Sequence, residues 1–203
     1  MKPALLLLLF TLSPFAYAIN YDAVQLYSQD ELNSLINKNQ HLQRVKADDC
    51  QLVEDIKAHA TKVKEPSYVF LWGDMLTWGV CVPRDAKLGM YYIEQSAKQG
   101  LLAAIEQLGR YYEKGILVQP NKTRAVVYYR EAALQGLLKA QLSYIRLLLQ
   151  GYGSPVDFED AYRVLFIQII ADEKIKAQAA SLLSQLANKM PERIVTRAQK
   201  GGI

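Results

Sequence analysis

Apolar residues recur along this chain with the period of an α-helix rather than that of a β-strand. In the segment Leu102–Lys114, Ile105, Leu108 and Tyr112 fall on one helical face, which predicts an amphipathic helix. Gly115 follows directly and predicts the end of that helix, because glycine adopts a left-handed backbone conformation without a steric clash. Short apolar runs occur elsewhere, but none shows the sustained alternation of a strand. The pattern therefore predicts an all-α fold.

The helical pattern returns every 36 residues, and its clearest markers are residues that end or begin helices. The glycines that mark the end of the first helix of each unit are Gly79, Gly115 and Gly151. The residues that mark the start of the second helix, as N-caps, are Asp85, Asn121 and Asp157. The three predicted helix pairs are Ser67–Gly100, Leu102–Gly136 and Leu138–Asp172. Stacked helix pairs of this kind form a solenoid.

Four segments follow from these patterns. They are a leader over residues 1–18, an N-terminal helical segment over 19–65, a repeat domain over 66–188 and a basic tail over 189–203. The repeat domain ends in a helix over residues 174–189, which is predicted to cover the open end of the array. The apolar face predicted for this helix consists of Ala177, Ala180, Leu182, Leu183 and Leu186.

The N-terminal segment is predicted to contain two helices. Ser28 and Glu31 form a capping box, which predicts a helix over Asp30–Asn37. Asp48 or Asp49 then predicts the start of a second helix that continues through residue 62. The residues of that helix expected to face inward are Leu52, Val53 and Ile56.

Small residues at matching repeat positions predict close contact between the two helices of a unit. Gly73 and Gly109 lie in the middle of first helices, where each glycine costs about 1 kcal/mol relative to alanine. A close helix crossing explains why this cost is tolerated. The third unit has Ile145 at this position, so its helices are expected to pack less closely. The matching small residues of the second helices are Gly89, Ala125 and Ala161.

The first residues of the chain have the pattern of a secretory signal peptide. Lys2 supplies a positive charge, Ala4–Leu12 an apolar run, and Ala16 and Ala18 a cleavage motif of small residues. The alternative, a membrane anchor, needs about 20 apolar residues, and this run is well short of that length. We therefore predict an exported, soluble protein, with cleavage between Ala18 and Ile19.

The chain contains two cysteines, Cys50 and Cys81. An even number of cysteines in an exported protein favours a disulfide, and two buried free thiols are the alternative. A bridge between them closes a loop of about 31 residues and stabilises the fold by roughly 3–4 kcal/mol. It would also fasten the N-terminal segment to the first repeat unit.

The distribution of charge argues against a nucleic-acid partner and shows that the C-terminal segment is basic. The whole chain has a net charge of +4, without the concentrated basic face of a nucleic-acid-binding protein. Only residues 189–203 are strongly biased, with a charge of +3. Arg193 and Arg197 in this tail are therefore candidate contacts for an acidic partner, and a solvated terminus is the alternative.

The sequence contains no recognisable motif for a catalytic, metal or cofactor site. His41 and His59 lack neighbours at metal-ligand spacing and are expected to be exposed on helices. An all-α muramidase is the one exported enzyme class to consider, with Glu106 or Glu113 as its catalytic residue. Both fit solvent-facing positions of a repeat helix. We therefore predict a chain that is not an enzyme and has no metal or cofactor.

Tyrosine is abundant, with 13 residues, and three adjacent pairs fall at helical positions. Neighbouring side chains on a helix point about 100° apart, so one tyrosine of a pair can fill the core while the other is exposed. Exposed tyrosine is a common anchor at protein interfaces. The partner-binding candidates from these pairs are Tyr91, Tyr111 and Tyr129, and packing within the fold is the alternative.

The repeat motif resembles the Sel1-like repeat, a relative of the tetratricopeptide repeat. This resemblance is carried by Leu108–Gly115, Ala125–Gly136 and Lys139–Gln141, and the first and third copies are degenerate. Segments outside the repeat motif are similar to the MotX family of sodium-driven polar flagellar motor proteins. These segments are His41–Ile56, Pro66–Cys81, Gly151–Pro155 and Lys189–Pro191. The similarity extends over roughly residues 26–200.

The resemblance to the MotX family implies a periplasmic scaffold with no enzymatic role. In that family, the protein is expected to form a ring around the flagellar basal body with a MotY-like protein. The ring is expected to help the PomA/PomB stator assemble around the rotor, which makes the PomB subunit a partner. A generic periplasmic Sel1-repeat adaptor in envelope maintenance is the alternative.

Overall fold

The computed structural model describes residues 26–201. This part of the chain contains eleven α-helices and no β-strand, in agreement with the all-α prediction. The predicted leader over residues 1–18, with its cleavage between Ala18 and Ile19, lies outside the described residues. Among the helices of residues 26–201, none is both long and apolar enough to span a bilayer.

Three short helices precede the repeats. They are α1 (Gln29–Asn37), α2 (His41–Ala47) and α3 (Val53–Ala58), and α3 continues into a π-helical turn over His59–Val63. α1 begins as predicted, because Ser28 Oγ accepts a hydrogen bond from the backbone N–H of Glu31 at 3.2 Å. Leu52 and Ile56 are buried, also as predicted, and Val53 is half-buried.

The predicted helix from Asp48 or Asp49 through residue 62 is wrong in its first part. The chain turns here instead, with left-handed φ angles of 51° at Asp49 and 60° at Cys50. The Asp48 side chain caps no helix, because it accepts hydrogen bonds from Tyr27 Oη at 2.7 Å and from Arg44 Nε at 2.8 Å. The predicted second helix therefore begins several residues later, at α3, and it is preceded by α2, which was not predicted from the sequence.

Three helix pairs follow at the spacing of the 36-residue repeat. They are α4 (Pro66–Trp78) with α5 (Ala86–Lys98), α6 (Leu102–Lys114) with α7 (Lys122–Leu134), and α8 (Leu138–Leu149) with α9 (Phe158–Phe166). Gly79 and Gly115 end α4 and α6 in left-handed conformations, with φ of 68° and 70°. The side chains of Asp85 and Asn121 cap α5 and α7. The predicted helix pairs are confirmed for these two units.

The third unit differs from the prediction at the start of α9. A 3-10 turn over Pro155–Asp157 precedes this helix, and Ser154 Oγ accepts a hydrogen bond from the backbone N–H of Val156 at 3.3 Å. Asp157 therefore does not cap α9 with its side chain, contrary to the prediction. Its carboxylate accepts a hydrogen bond from Arg130 Nε at 3.1 Å instead.

Glycine allows the helices of the first two units to cross closely, as predicted. A Cβ atom added to Gly89 would lie 2.2 Å from Thr77 Oγ1 and 2.6 Å from the carbonyl oxygen of Gly73. A Cβ atom added to Gly109 would lie 2.9 Å from the Tyr129 ring. These distances are shorter than van der Waals contact, so the paired helices meet where each glycine stands.

The N-terminal helices are fastened to the first unit covalently and by hydrogen bonds. Cys50, in the turn after α2, is disulfide-bonded to Cys81, which follows α4, and their Cα atoms are 5.5 Å apart. The predicted pair is therefore present in the structure. In addition, Tyr68 Oη on α4 donates a hydrogen bond to the carbonyl oxygen of Tyr27 at 2.5 Å. The N-terminal segment and the repeats consequently share one hydrophobic core.

The other end of the array is covered by α10 (Glu173–Ala187), as predicted, and by α11 (Glu192–Gln199). Leu182 and Leu186 of α10 are buried, but the expected burial of Ala177 and Ala180 is wrong, since both are exposed and Ala179 is buried instead. Alanines occur around this helix, so the apolar pattern alone does not define its inward face.

The basic segment at the C-terminus is largely helical and packs on α9. Ala198 of α11 is buried there, and Gln199 Nε2 donates a hydrogen bond to Tyr162 Oη at 2.9 Å. Arg197 forms an ion pair with Glu159 of α9. Arg197 therefore fastens α11 to the array, whereas Arg193 is exposed.

Candidate functional site

The three candidate tyrosines lie in different environments. Tyr91 on α5 is 53% exposed and remains a candidate contact. Tyr111 and Tyr129 are buried, so the prediction that they are exposed anchors is wrong. Their hydroxyl groups are used within the fold, because Tyr111 Oη accepts a hydrogen bond from Gln107 at 3.0 Å and Tyr129 Oη donates one to Glu113 at 2.8 Å.

A groove runs between the N-terminal segment and the first helices of the repeats, and we call it the α4/α6 groove. It contains two adjacent cavities of about 300 and 220 Å³. The residues that border both cavities are Asn39, His41, Gln107 and Arg110. Glu106 and Lys139 border the larger cavity, and the partly exposed Trp78 borders the smaller one.

A buried polar cluster lines this groove. Asp74 on α4 accepts hydrogen bonds from His41 Nε2 at 2.8 Å and from Gln107 Nε2 at 2.6 Å. His41 is 2% exposed, so the prediction of an exposed histidine is wrong here. The reason is that a buried carboxylate needs hydrogen-bond donors, and α2 brings the imidazole to it. His59 is half-buried rather than exposed, with its Nδ1 atom 3.4 Å from Glu65 Oε2.

Arg110 connects this buried cluster to the surface. Its guanidinium donates a hydrogen bond to Gln107 Oε1 at 2.8 Å and lies over the Tyr111 ring, 5.4 Å from the ring centroid. Arg110 occupies the same repeat position as Asp74 in the first unit and Arg146 in the third. Polar residues at this position therefore recur along one side of the array.

Glu113 links α6 to α7 and α8. Arg146 on α8 donates to both oxygens of the Glu113 carboxylate, at 2.6 and 3.0 Å. The prediction that Glu113 faces solvent is therefore wrong. Burial by itself raises the pKa of Glu113, but the hydrogen bonds from Arg146 and Tyr129 outweigh that effect and hold the pKa below its ordinary value.

Replacement of Glu113 by glutamine is expected to destabilise the protein by about 1–2 kcal/mol at pH 7, because a charged hydrogen-bond acceptor is lost. The folded-state pKa is lower than the unfolded one, so the stabilisation is complete above the unfolded pKa of about 4.3. It is lost as the pH falls through the folded-state pKa. Urea unfolding of both proteins between pH 7 and pH 3 should therefore show a difference that shrinks on acidification.

The matched control for this pH series is Glu131→Gln, which changes an exposed carboxylate on α7. Its stability relative to wild type should stay nearly constant across the series. A difference between wild type and Glu113→Gln that grows on acidification would contradict the assigned direction of the Glu113 pKa shift.

The two carboxylates considered for a muramidase have separate roles in the structure. Glu113 is held by Arg146, whereas Glu106 lies on the wall of the α4/α6 groove, where burial raises its pKa. A raised pKa suits a general acid, but glycoside hydrolysis by the usual mechanism needs a second carboxylate across the scissile bond. Asp74 borders the groove, yet it is buried and hydrogen-bonded to His41 and Gln107.

Over residues 26–201, no three His, Cys, Asp or Glu side chains are grouped to hold a metal ion.

Three residues of the groove were not predicted from the sequence as part of a functional site, namely Trp78, Arg110 and Lys139. The indication present in the sequence is the repeat itself, since Arg110 and Asp74 share a repeat position and hence a side of the array. A partly exposed aromatic ring with two cations and the Glu106 carboxylate nearby is a mixed polar and aromatic lining, which suits contact with another polypeptide. The groove therefore has the chemistry of a protein-binding surface.

Comparison with known proteins supports both the fold and a family relationship. The Sel1 repeat family model matches residues 67–101 and 102–137, which contain the first two helix pairs. The sodium-type polar flagellar protein MotX of Vibrio parahaemolyticus serotype O3:K6 (strain RIMD 2210633) is 52% identical over 198 residues, which is 97% of this chain and 94% of that protein.

Among solved structures, a Sel1 repeat protein from Oxalobacter formigenes is similar, with a TM-score of 0.50 and 22% sequence identity. The match includes 78% of this chain but 55% of that one, so this chain spans about half the length of the solved structure. At this level of identity, the likeness supports the helical-repeat fold alone.

Proposed function

This chain belongs to the MotX family of sodium-type polar flagellar motor proteins, and from this membership we propose that it is a non-enzymatic scaffold of the motor. The scaffold acts in the periplasm after export, with its leader removed between Ala18 and Ile19. It joins a MotY-like protein in a ring at the basal body. The ring recruits the PomA/PomB stator through contact with PomB, which holds the stator near the rotor for torque generation.

The observation that carries this proposal is the 52% identity over 97% of the chain. The two matched Sel1 repeats end at residue 137, so the similarity extends far beyond the repeat motif on both sides. A similarity limited to the repeats would support only a generic adaptor.

The surface of the described chain supports a scaffold role. Helix pairs that stack into an array create an extended surface for partner proteins. We assign one partner contact to the α4/α6 groove, where Arg110 and Lys139 supply positive charge beside the aromatic ring of Trp78. Tyr91 and Arg193 are the other exposed candidates, on α5 and α11.

Deletion of the gene tests this proposal. We expect the mutant to assemble a polar filament that does not rotate, because filament export does not require a stator scaffold. Fluorescently tagged PomB should lose its polar focus, and wild-type protein supplied in trans should restore both the focus and swimming. Normal swimming of the deletion strain, with an envelope defect, would favour the envelope adaptor instead.

A groove variant makes the same test specific to one surface. Arg110→Glu/Lys139→Glu is expected to fail to restore swimming, because it reverses two charges on the α4/α6 groove. Since Arg110 donates to Gln107 and Lys139 to the carbonyl oxygen of Asn37, its cellular level and circular dichroism spectrum are measured alongside swimming to separate lost binding from lost folding. The matched control is Lys87→Glu/Lys174→Glu, which reverses two exposed charges on α5 and α10. Full restoration of swimming by both double variants would remove the groove from the partner surface.

A further inference from the structure

Two cavities recur at equivalent positions of successive repeats, and they share no lining residue with the α4/α6 groove. Cavity A, of about 210 Å³, is bordered by the π-helical turn over His59–Val63 and by α4 and α5. Cavity B, of about 350 Å³, is bordered by α5, α6 and α7. The lining residues that correspond across the two, each 36 positions apart, are Thr61 and Ala97, Val69 and Ile105, Tyr92 and Tyr128, and Gln95 and Glu131.

The repeat explains why the two cavities match. The π-helical turn contacts α4, and α5 contacts α6. Since Thr61 of the turn and Ala97 of α5 hold matching places in the two linings, the turn stands where the second helix of a preceding unit would stand. Each cavity is therefore the gap between a helix pair and the element before it. In the third unit Val164 replaces the tyrosine of this position.

Each cavity has a wall of tyrosine that contacts within the fold hold in place. In cavity A, Tyr91 packs edge-on against Tyr92 with ring centroids 5.5 Å apart, and Tyr91 is 53% exposed. In cavity B, the Tyr128 ring stacks on Tyr112, with centroids 5.6 Å apart and an angle of 6° between the planes. The buried aliphatic residues that line the two cavities are Val69 and Ile105.

Hydrogen-bond donors stand beside these rings. Lys64 and Gln95 border cavity A, and Lys98 and Arg124 border cavity B. The Arg124 guanidinium lies over the Tyr112 ring, 4.2 Å from its centroid, which fixes it at the cavity and leaves its planar N–H groups able to donate. An occupant of both cavities therefore meets aromatic rings and N–H donors together.

The charges of the lining favour an occupant without net charge. In cavity B, the two cations Lys98 and Arg124 are balanced by the two carboxylates Glu94 and Glu131. Cavity A has a single charged group, Lys64. A strongly acidic or basic segment would meet like charges in cavity B, which costs affinity.

A proline-rich segment in the polyproline II conformation has the matching chemistry. Its proline rings are apolar and uncharged, its backbone carbonyls accept no internal hydrogen bonds, and proline brings no N–H group that needs an acceptor. It advances about 9 Å over each turn of three residues. Neighbouring helices pack roughly 8–10 Å apart, which is close to this length. Side chains a whole number of turns apart can therefore enter successive cavities.

We propose that cavities A and B together bind a proline-rich segment of a partner protein, with one proline ring against Tyr92 and another against Tyr128. Aromatic-lined grooves are the usual docking sites of such segments, because a preformed polyproline II helix loses little entropy on binding. This inference goes beyond the proposed function, because it assigns a second surface and the chemistry of its occupant.

Fluorescence anisotropy of a labelled proline decamer tests the proposal with the mature full-length chain. The wild type should bind the decamer saturably and bind triproline at least about tenfold more weakly, because triproline is too short to occupy both cavities. A glycine–serine decamer is the control peptide and should bind at least about tenfold more weakly than the proline decamer, since it is a flexible coil without apolar rings.

A pair of substitutions locates the binding site. Tyr91→Ala/Arg124→Ala removes one exposed side chain from each cavity and is expected to weaken binding of the proline decamer by at least about tenfold. The matched control is Lys87→Ala/Val127→Ala, which should bind like the wild type. Val127 holds the repeat position of Tyr91 on α7 and is 62% exposed, and neither control residue borders a cavity. Circular dichroism of both variants checks that they fold.

Absence of saturable binding by the wild type, or equal affinity of the wild type and the folded Tyr91→Ala/Arg124→Ala variant, would overturn this inference. The proposed function would remain, since it is tested by gene deletion and swimming. Normal swimming of the deletion strain would overturn the proposed function and leave the binding site in place. Co-sedimentation with purified peptidoglycan sacculi tests a glycan strand as the other occupant. Sacculus binding that the double variant loses, without binding of the proline decamer, would reassign both cavities to a glycan.

Discussion

Replacement of Asp74 by alanine is expected to lower the free energy of unfolding by about 2–6 kcal/mol, because two buried hydrogen bonds lose their acceptor. The carboxylate accepts hydrogen bonds from His41 and Gln107, and all three side chains are buried. Without it, two buried donors lose their acceptor, and each carries a desolvation penalty of about 1–3 kcal/mol. Urea unfolding followed by circular dichroism measures the loss.

A double-mutant cycle attributes this loss to the cluster. His41→Ala and Asp74→Ala together should destabilise the protein by less than the sum of the single changes, with a coupling energy of about 1 kcal/mol or more. Asp55→Ala is the matched control, since it removes an exposed carboxylate from α3 and should cost no more than about 0.5 kcal/mol. An Asp74→Ala variant as stable as this control would contradict the buried cluster.

Replacement of Gly89 by alanine is expected to destabilise the protein by about 3 kcal/mol, the upper part of the range for overpacking a core. The sign of the stability change is informative, because alanine at an ordinary helix position stabilises a protein by about 1 kcal/mol relative to glycine. At Gly89, however, the new Cβ atom would lie 2.2 Å from Thr77 Oγ1 and 2.6 Å from the Gly73 carbonyl oxygen. α4 and α5 must therefore move apart to accept it. Thermal unfolding of the variant measures the cost.

A second substitution identifies which contact is responsible. Thr77→Ala in the Gly89→Ala background removes the nearest atom but leaves the short contact with the Gly73 backbone, so it should restore only part of the lost stability. Lys87→Ala, on the exposed side of α5, is the control for the helix itself and should stay within about 0.5 kcal/mol of wild type. A Gly89→Ala variant more stable than wild type would show that the two helices do not cross closely.

The helix pairs are predictable from the sequence because the interactions that define their ends are local. Gly115 and Asn121 end and begin helices through their own backbone and side-chain chemistry, and a 36-residue repeat multiplies that evidence. The turn after α2 is not predictable in this way. Asp48 is a suitable N-cap by residue type, but Tyr27 and Arg44 engage its carboxylate, and only the folded chain brings them together.

The candidate site is less predictable because the partners of buried polar groups are chosen by tertiary packing. Nothing local connects His41 to Asp74, which lie 33 residues apart. The tyrosine pairs show the same limit, since the expected division into one buried and one exposed member fails on α6. Tyr111 and Tyr112 are both buried there, because neighbouring helices pack around this central helix. Tyr91 is exposed on α5, which stands nearer the end of the array.

The two ends of the array are secured by bonds of different kinds, and this difference has a mechanical consequence in a motor. The Cys50–Cys81 link is covalent, whereas α11 is held on α9 by noncovalent contacts: the buried Ala198, a hydrogen bond from Gln199 to Tyr162, and a surface ion pair between Arg197 and Glu159. In a linear array, each unit is stabilised mainly by its neighbours, so force unravels it from the weaker end. When the array is pulled along its length, α11 and α10 are expected to detach first. The N-terminal units, which the disulfide cross-links, would stay folded under this load. The C-terminal helices would unfold first and refold when the load falls.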